Sequence, residues 1–279
     1  MLISIAPIFM GALLSWFRKA WPLSALVLIA GYAAAVVAGF VQPIGIASVA
    51  VVTLLAWLCG QTLKGIRGVV IHILFFVWAG LLALHLLPGF QNPLLIGPVS
   101  FTPDAIPFKM YFNFDKAAIG FALILLYVPI CREKGVGRSL LVGASGAMLG
   151  IILTLPLALW LGAVRWEPKF PDGLWLWILD NLLVALTEEA LFRGFLQASL
   201  SRWLNGTGGS AAMAIAIAAI AFGLAHYASG LPMILLASLA GLAYGLAYRY
   251  GGLLASVLAH FGLNLFHILL FTYPLLAPH

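Results

Sequence analysis

About ten apolar runs follow one another along this chain, at residues 2–17, 22–40, 43–63, 68–88, 117–131, 139–163, 173–200, 208–228, 231–248 and 252–273. A helix needs roughly 20 apolar residues to cross the hydrocarbon core of a bilayer. Inside that core only helices and closed barrels satisfy every backbone polar group. The pattern therefore predicts an all-α, polytopic membrane protein with about 9–10 transmembrane helices, the first run being at the short limit for a span. Of the 279 residues, 64% are hydrophobic and 8% are charged, a composition that a soluble domain of this size has too little polar surface to carry.

The net charge of +6 follows from the same reading. It does not mark a nucleic-acid partner; it belongs to loop lysines and arginines that set orientation in the bilayer. Arg18, Lys19, Lys64, Arg67, Arg132, Lys134, Arg138, Arg202 and Arg249 fall on one side of the runs, and Lys109, Lys116, Arg165 and Lys169 on the other. The richer side is assigned to the cytoplasm, giving an integral, multi-pass protein of the bacterial inner (plasma) membrane. Cys59 and Cys131 have no spacing that predicts a disulfide framework or a metal cluster. The first run lacks a basic start and a small-residue exit, so a cleaved signal peptide is not expected.

Two gaps divide the runs. Residues 88–115 form a substantial loop in which Pro88, Pro93, Pro98, Pro103 and Pro107 oppose helix, and its aromatic residues suit the headgroup region. Residues 165–173 separate a membrane-helical region, 1–165, that is a candidate for determining substrate, from a region, 173–275, that carries the polar motifs. His72 and His85 have no acidic or histidine neighbour at ligand spacing and read as hydrogen-bonded packing residues.

Against this apolar background, T-E-E-A-L-F-R-G-F at 187–195 stands out. Three ionisable side chains near the middle of a spanning helix cost about 7–10 kcal/mol on insertion scales, an expense that marks chemistry, an ion path or a structural ion pair. At about 100° per residue, Glu189 and Arg193 are i,i+4 neighbours able to pair, whereas Glu188 lies about 140° from Arg193 and needs a partner from another helix. Further along, Phe222 and His226 stand at i,i+4, as do His260 and Asn264, with His267 continuing the latter stripe.

These residue types suit hydrolysis. A carboxylate and a neutral imidazole can hold one water, and the carboxylate can take its proton as it attacks a carbonyl. A histidine N–H and an asparagine amide on one helical face can donate to the developing oxyanion. No serine or cysteine stands one turn from these histidines within the three clusters, so a nucleophilic mechanism is the weaker reading.

The three clusters, Glu188–Glu189–Arg193, Phe222–His226 and His260–Asn264, resemble the motifs EExxxR, FxxxH and HxxxN of the CAAX-protease and bacteriocin-processing (CPBP/Abi) family of intramembrane glutamate proteases. The resemblance covers roughly residues 173–273. It implies a membrane-embedded hydrolase that needs no metal or other cofactor and cuts a membrane-anchored peptide or protein. It also implies that Glu188 and His226 position the water, that Glu189 and Arg193 support them, and that His260 and Asn264 form the oxyanion site. Other readings stay open at this point. They are a zinc peptidase with Glu188, His226 and His260 as ligands, a proton-coupled transporter, and a non-catalytic scaffold that keeps the polar pocket. Counting from the cytoplasmic helix ends, Glu188, His226 and His260 fall at about 21, 28 and 16 Å depth, so a tilt or a break must bring them level.

Overall fold

The computed structural model describes residues 1–61, 65–127, 135–204 and 208–277. Lys64, Arg132 and Lys134 of the orientation count, and Cys131, lie outside the described residues. The chain forms two compact units, Met1–Leu95 with Tyr111–Cys131, and Ile96–Met110 with Arg132–His279. It is an all-α membrane fold with one small hairpin. Among the described residues, four helices are long and apolar enough to cross a membrane: Pro43–Gly60, Gly65–Ala83, Val136–Trp160 and Leu231–Leu270.

In the first unit, α1 (Leu2–Ser15) packs on α2 (Trp21–Val37), and α3 (Pro43–Gly60) packs on α4 (Gly65–Ala83) and α5 (Phe114–Ala122). Proline opens α2 and α3, where its missing N–H costs nothing and its fixed φ suits the first turn. His85 is hydrogen-bonded, as its isolation in the sequence suggests. Its partner, Asp115, comes from 30 residues away: His85 Nδ1 meets Asp115 Oδ2 at 2.6 Å, and Asn92 Nδ2 donates to Asp115 Oδ1 at 3.1 Å. His72 Nδ1 donates to the Gly68 carbonyl at 2.8 Å.

The proline-rich loop contains a two-stranded sheet, β1 (Leu94–Val99) and β2 (Phe108–Tyr111), which the prolines conceal in the sequence. The second unit then holds α6 (Val136–Trp160), α7 (Leu174–Glu189), a π-helical stretch (Ala190–Gln197), α8 (Ala198–Trp203), α9 (Gly208–Leu224) and α10 (Leu231–Leu270).

Helix α10 is two helices joined by a break at Gly252, whose φ of 78° and ψ of −171° are open only to glycine. The break leaves carbonyls without intrahelical donors, and α6 supplies the donors. Ser139 Oγ donates to Gly251 O at 2.7 Å, and Arg138 Nε donates to Tyr250 O at 2.8 Å. Farther along α6, a Cβ at Gly146 would lie 2.9 Å from both Ala247 and Ala259, one on each side of the break. Small residues thus let α6 seat in the angle of α10, as membrane helices without a hydrophobic driving force require. Gly252→Ala is expected to destabilise the protein by about 1–3 kcal/mol through backbone strain. A lowered thermal midpoint in detergent is the check, and an unchanged one would show that the break does not depend on glycine.

Candidate active site

The break turns the second half of α10 so that His260 faces α7. There Glu189 is fully buried, and its Oε1 accepts from Arg193 Nη1 at 2.8 Å and from His260 Nδ1 at 2.9 Å. The i,i+4 pairing read from the sequence is present, and the histidine extends it to another helix. Arg193 is also fully buried. Its Nη2 donates to Gly241 O at 3.1 Å, and its guanidinium stands 4.5 Å from the Phe222 ring and 5.2 Å from the Tyr244 ring. Aromatic faces carry negative potential, so they share in stabilising a cation that has left water.

Glu188 points elsewhere, as its helical phase requires. Its side chain remains 19% exposed, and its Oε2 lies 4.0 Å from His260 Nε2. It lines a cavity of about 510 Å³ together with Phe222, His226, Tyr244, His260 and Asn264. Of the seven motif residues, five therefore reach this cavity. The other two, Glu189 and Arg193, sit behind His260 and fix it.

His226 reaches the cavity because α9 ends at Leu224 and a turn carries the histidine on, so depth counted along an unbroken helix does not apply to it. Its Nδ1–H donates to Phe222 O at 2.8 Å, which leaves Nε2 with a lone pair when the ring is neutral. Phe222, His226 and His260 form a cluster of edge-on rings, while Tyr244 stacks on His260 at 4.7 Å with an interplanar angle of 12°.

Three lining residues carry no motif. Tyr244 sits at the back of His260. Tyr273 lies beyond α10, where its hydroxyl accepts from Trp177 Nε1 at 3.1 Å. His267 continues the stripe of His260 and Asn264 and binds the Thr272 carbonyl through Nε2 at 3.1 Å.

Residues 271–276 pass along the cavity, which Tyr273, Pro274 and Leu275 line. Ile106 N donates to Leu275 O at 3.0 Å, Leu276 N to Ala163 O at 2.9 Å and Thr272 N to Arg165 O at 3.0 Å. Apolar walls from Leu155, Ala158, Leu236 and Leu263 complete the site. Among the described residues, no three His, Cys, Asp or Glu side chains form a group able to hold a metal ion, and this includes Glu188, His226 and His260.

Apolar helices thus enclose a polar cavity lined by a carboxylate and imidazoles, a make-up compatible with a membrane-embedded hydrolase. Residues 170–266, which contain all seven motif residues, match the family model described as type II CAAX prenyl endopeptidase Rce1-like. Over that segment, about a third of the chain, the protein is similar to the Rce1-like CAAX proteases, and the match supports a general intramembrane-protease role. No curated protein and no solved structure matches it.

Proposed function

We propose that the protein is an intramembrane endopeptidase that hydrolyses a peptide bond of a membrane-anchored protein or peptide with a water activated by Glu188. The observation that carries this reading is the different treatment of two adjacent carboxylates. Glu189 is neutralised by Arg193 and bonded to His260, whereas Glu188 faces the cavity without an arginine of its own.

Glu188 accepts a proton from the water, and His226 Nε2 accepts the water's other hydrogen. The water oxygen bonds to the scissile carbonyl carbon, and the carbonyl oxygen becomes an oxyanion. Asn264 Nδ2 donates to that oxyanion, and so does His260 Nε2 when it carries a proton, the charge then being shared with Glu189. Glu188 returns its proton to the amide nitrogen and the C–N bond breaks; the new carboxylic acid gives its remaining proton to the amine, so a carboxylate and an ammonium leave. Residues 1–165 are the candidate for selecting the substrate.

The test is product mass spectrometry with a pool of peptides anchored by an acyl chain, a prenyl group or a spanning helix, comparing wild type with Glu188→Gln. A defined cut made by the wild type and absent in the variant supports the reading; the same cut in both overturns it. A second measurement concerns metal. A water activated by Glu188 needs no ion, whereas a zinc-bound water owes its acidity to the metal. The active enzyme is expected to contain well under one equivalent of zinc or any transition metal by elemental analysis, and to stay active after a membrane-permeant chelator. Stoichiometric metal that is lost and restored together with activity would replace this mechanism with a metallopeptidase one.

A further inference from the structure

Asn181 stands seven residues before Glu188, on nearly the same face of α7 and two turns away. No motif spacing singles it out. Its Oδ1 accepts a hydrogen bond from Asn264 Nδ2 at 3.3 Å. Two residues one turn apart on α10 are thus each held by a residue of α7, His260 by Glu189 and Asn264 by Asn181.

The second contact matters because a carboxamide has two unlike ends. The nitrogen donates two hydrogen bonds and the oxygen only accepts. An Asn264 side chain turned by 180° would place its oxygen against a developing oxyanion and raise the barrier. An acceptor held beside Nδ2 fixes the turn: it takes one N–H and leaves the other, in the same plane, for the reacting oxygen.

We propose that Asn181 is a positioning residue for the peptidase reaction, setting which end of the Asn264 amide faces the oxyanion. The proposal rests on the reading of Asn264 as an oxyanion donor. Asn181 touches neither the water nor the scissile bond; it acts through Asn264.

The experiment uses the full-length protein in detergent, with the variants Asn181→Ala, Asn181→Asp, Asn264→Ala and the double alanine. Each is assayed on the peptide that wild type cuts fastest from the anchored pool, and each is melted. Asn264→Ala is expected to lower kcat by about 10²–10³ with little change in KM, the range for losing one oxyanion donor. Asn181→Ala should lower kcat by about tenfold, again without moving KM, because only the orientation of the donor is lost. The double variant should be no slower than Asn264→Ala, and the two sites should couple in thermal unfolding. Asn181→Asp should recover most of the loss, since both carboxylate oxygens accept.

A full kcat loss in Asn264→Ala beside a wild-type kcat in Asn181→Ala would overturn this proposal and leave the oxyanion reading standing. So would losses that multiply in the double variant, or an aspartate no better than alanine. An unaffected kcat in Asn264→Ala would remove the oxyanion reading, and this proposal with it, whatever the melting shows.

Discussion

Glu188→Gln is expected to slow peptide cleavage by about 10²–10⁴-fold, the usual contribution of a positioned general base. The same variant should keep the thermal midpoint of the wild type. Glutamine preserves the length and shape of the side chain and lacks only the ability to take a proton. Nothing structural depends on the Glu188 charge in the way that Arg193 depends on Glu189: its contact with His260 Nε2 is long, at 4.0 Å, and its side chain is open to the cavity. Activity and stability should therefore separate at this position. Cleavage by Glu188→Gln at the wild-type rate would remove the proposed mechanism, and a collapse in stability would show that the carboxylate is mainly structural.

At the neighbouring position the expected result is of another kind. Glu189→Gln should destabilise the protein by about 3–5 kcal/mol, because breaking a buried ion pair on one side leaves an uncompensated charge. Arg193 has no solvent to turn to: it is fully buried, with Gly241 O and two aromatic rings as its remaining partners. The variant should also lose activity, since the acceptor that orients the His260 ring loses its charge. Thermal unfolding in detergent measures the first effect and cleavage of the anchored peptide the second. A Glu189→Gln protein as stable as wild type would mean that water or lipid reaches Arg193 in the membrane.

The legible part of this site came from helical phase. A spacing of four from Glu189 to Arg193 predicts one bond, and a spacing of five from Glu188 predicts its absence; both hold in the structure. The gap between the runs 231–248 and 252–273 falls at the break in α10. What escaped the sequence is what helical phase does not encode. The acceptor for His260 Nδ1 lies 71 residues away and that for Asn264 lies 83 residues away. Tyr244, Tyr273 and Asn181 reach the site through packing of segments whose order in space has no signature in spacing. The hairpin was hidden because Pro93, Pro98, Pro103 and Pro107 read as breakers of helix without indicating that strands remain between them.

The π-helical stretch at Ala190–Gln197 bears on how this gene can change. Its hydrogen bonds reach one residue farther than those of an α-helix, so the stretch holds a residue that an α-helical version would not need. Loss of a single codon after Arg193, at Gly194, Phe195 or Leu196, would keep the EExxxR spacing intact and still allow the segment to close into an ordinary helix. Gln197, which is buried and donates to Gly245 O at 3.0 Å, would then arrive at a different angle, together with everything that follows it to Trp203. A one-residue gap here would pass unnoticed by any scan for the glutamates and the arginine, and yet it would take from α10 the bond that Gln197 makes to it.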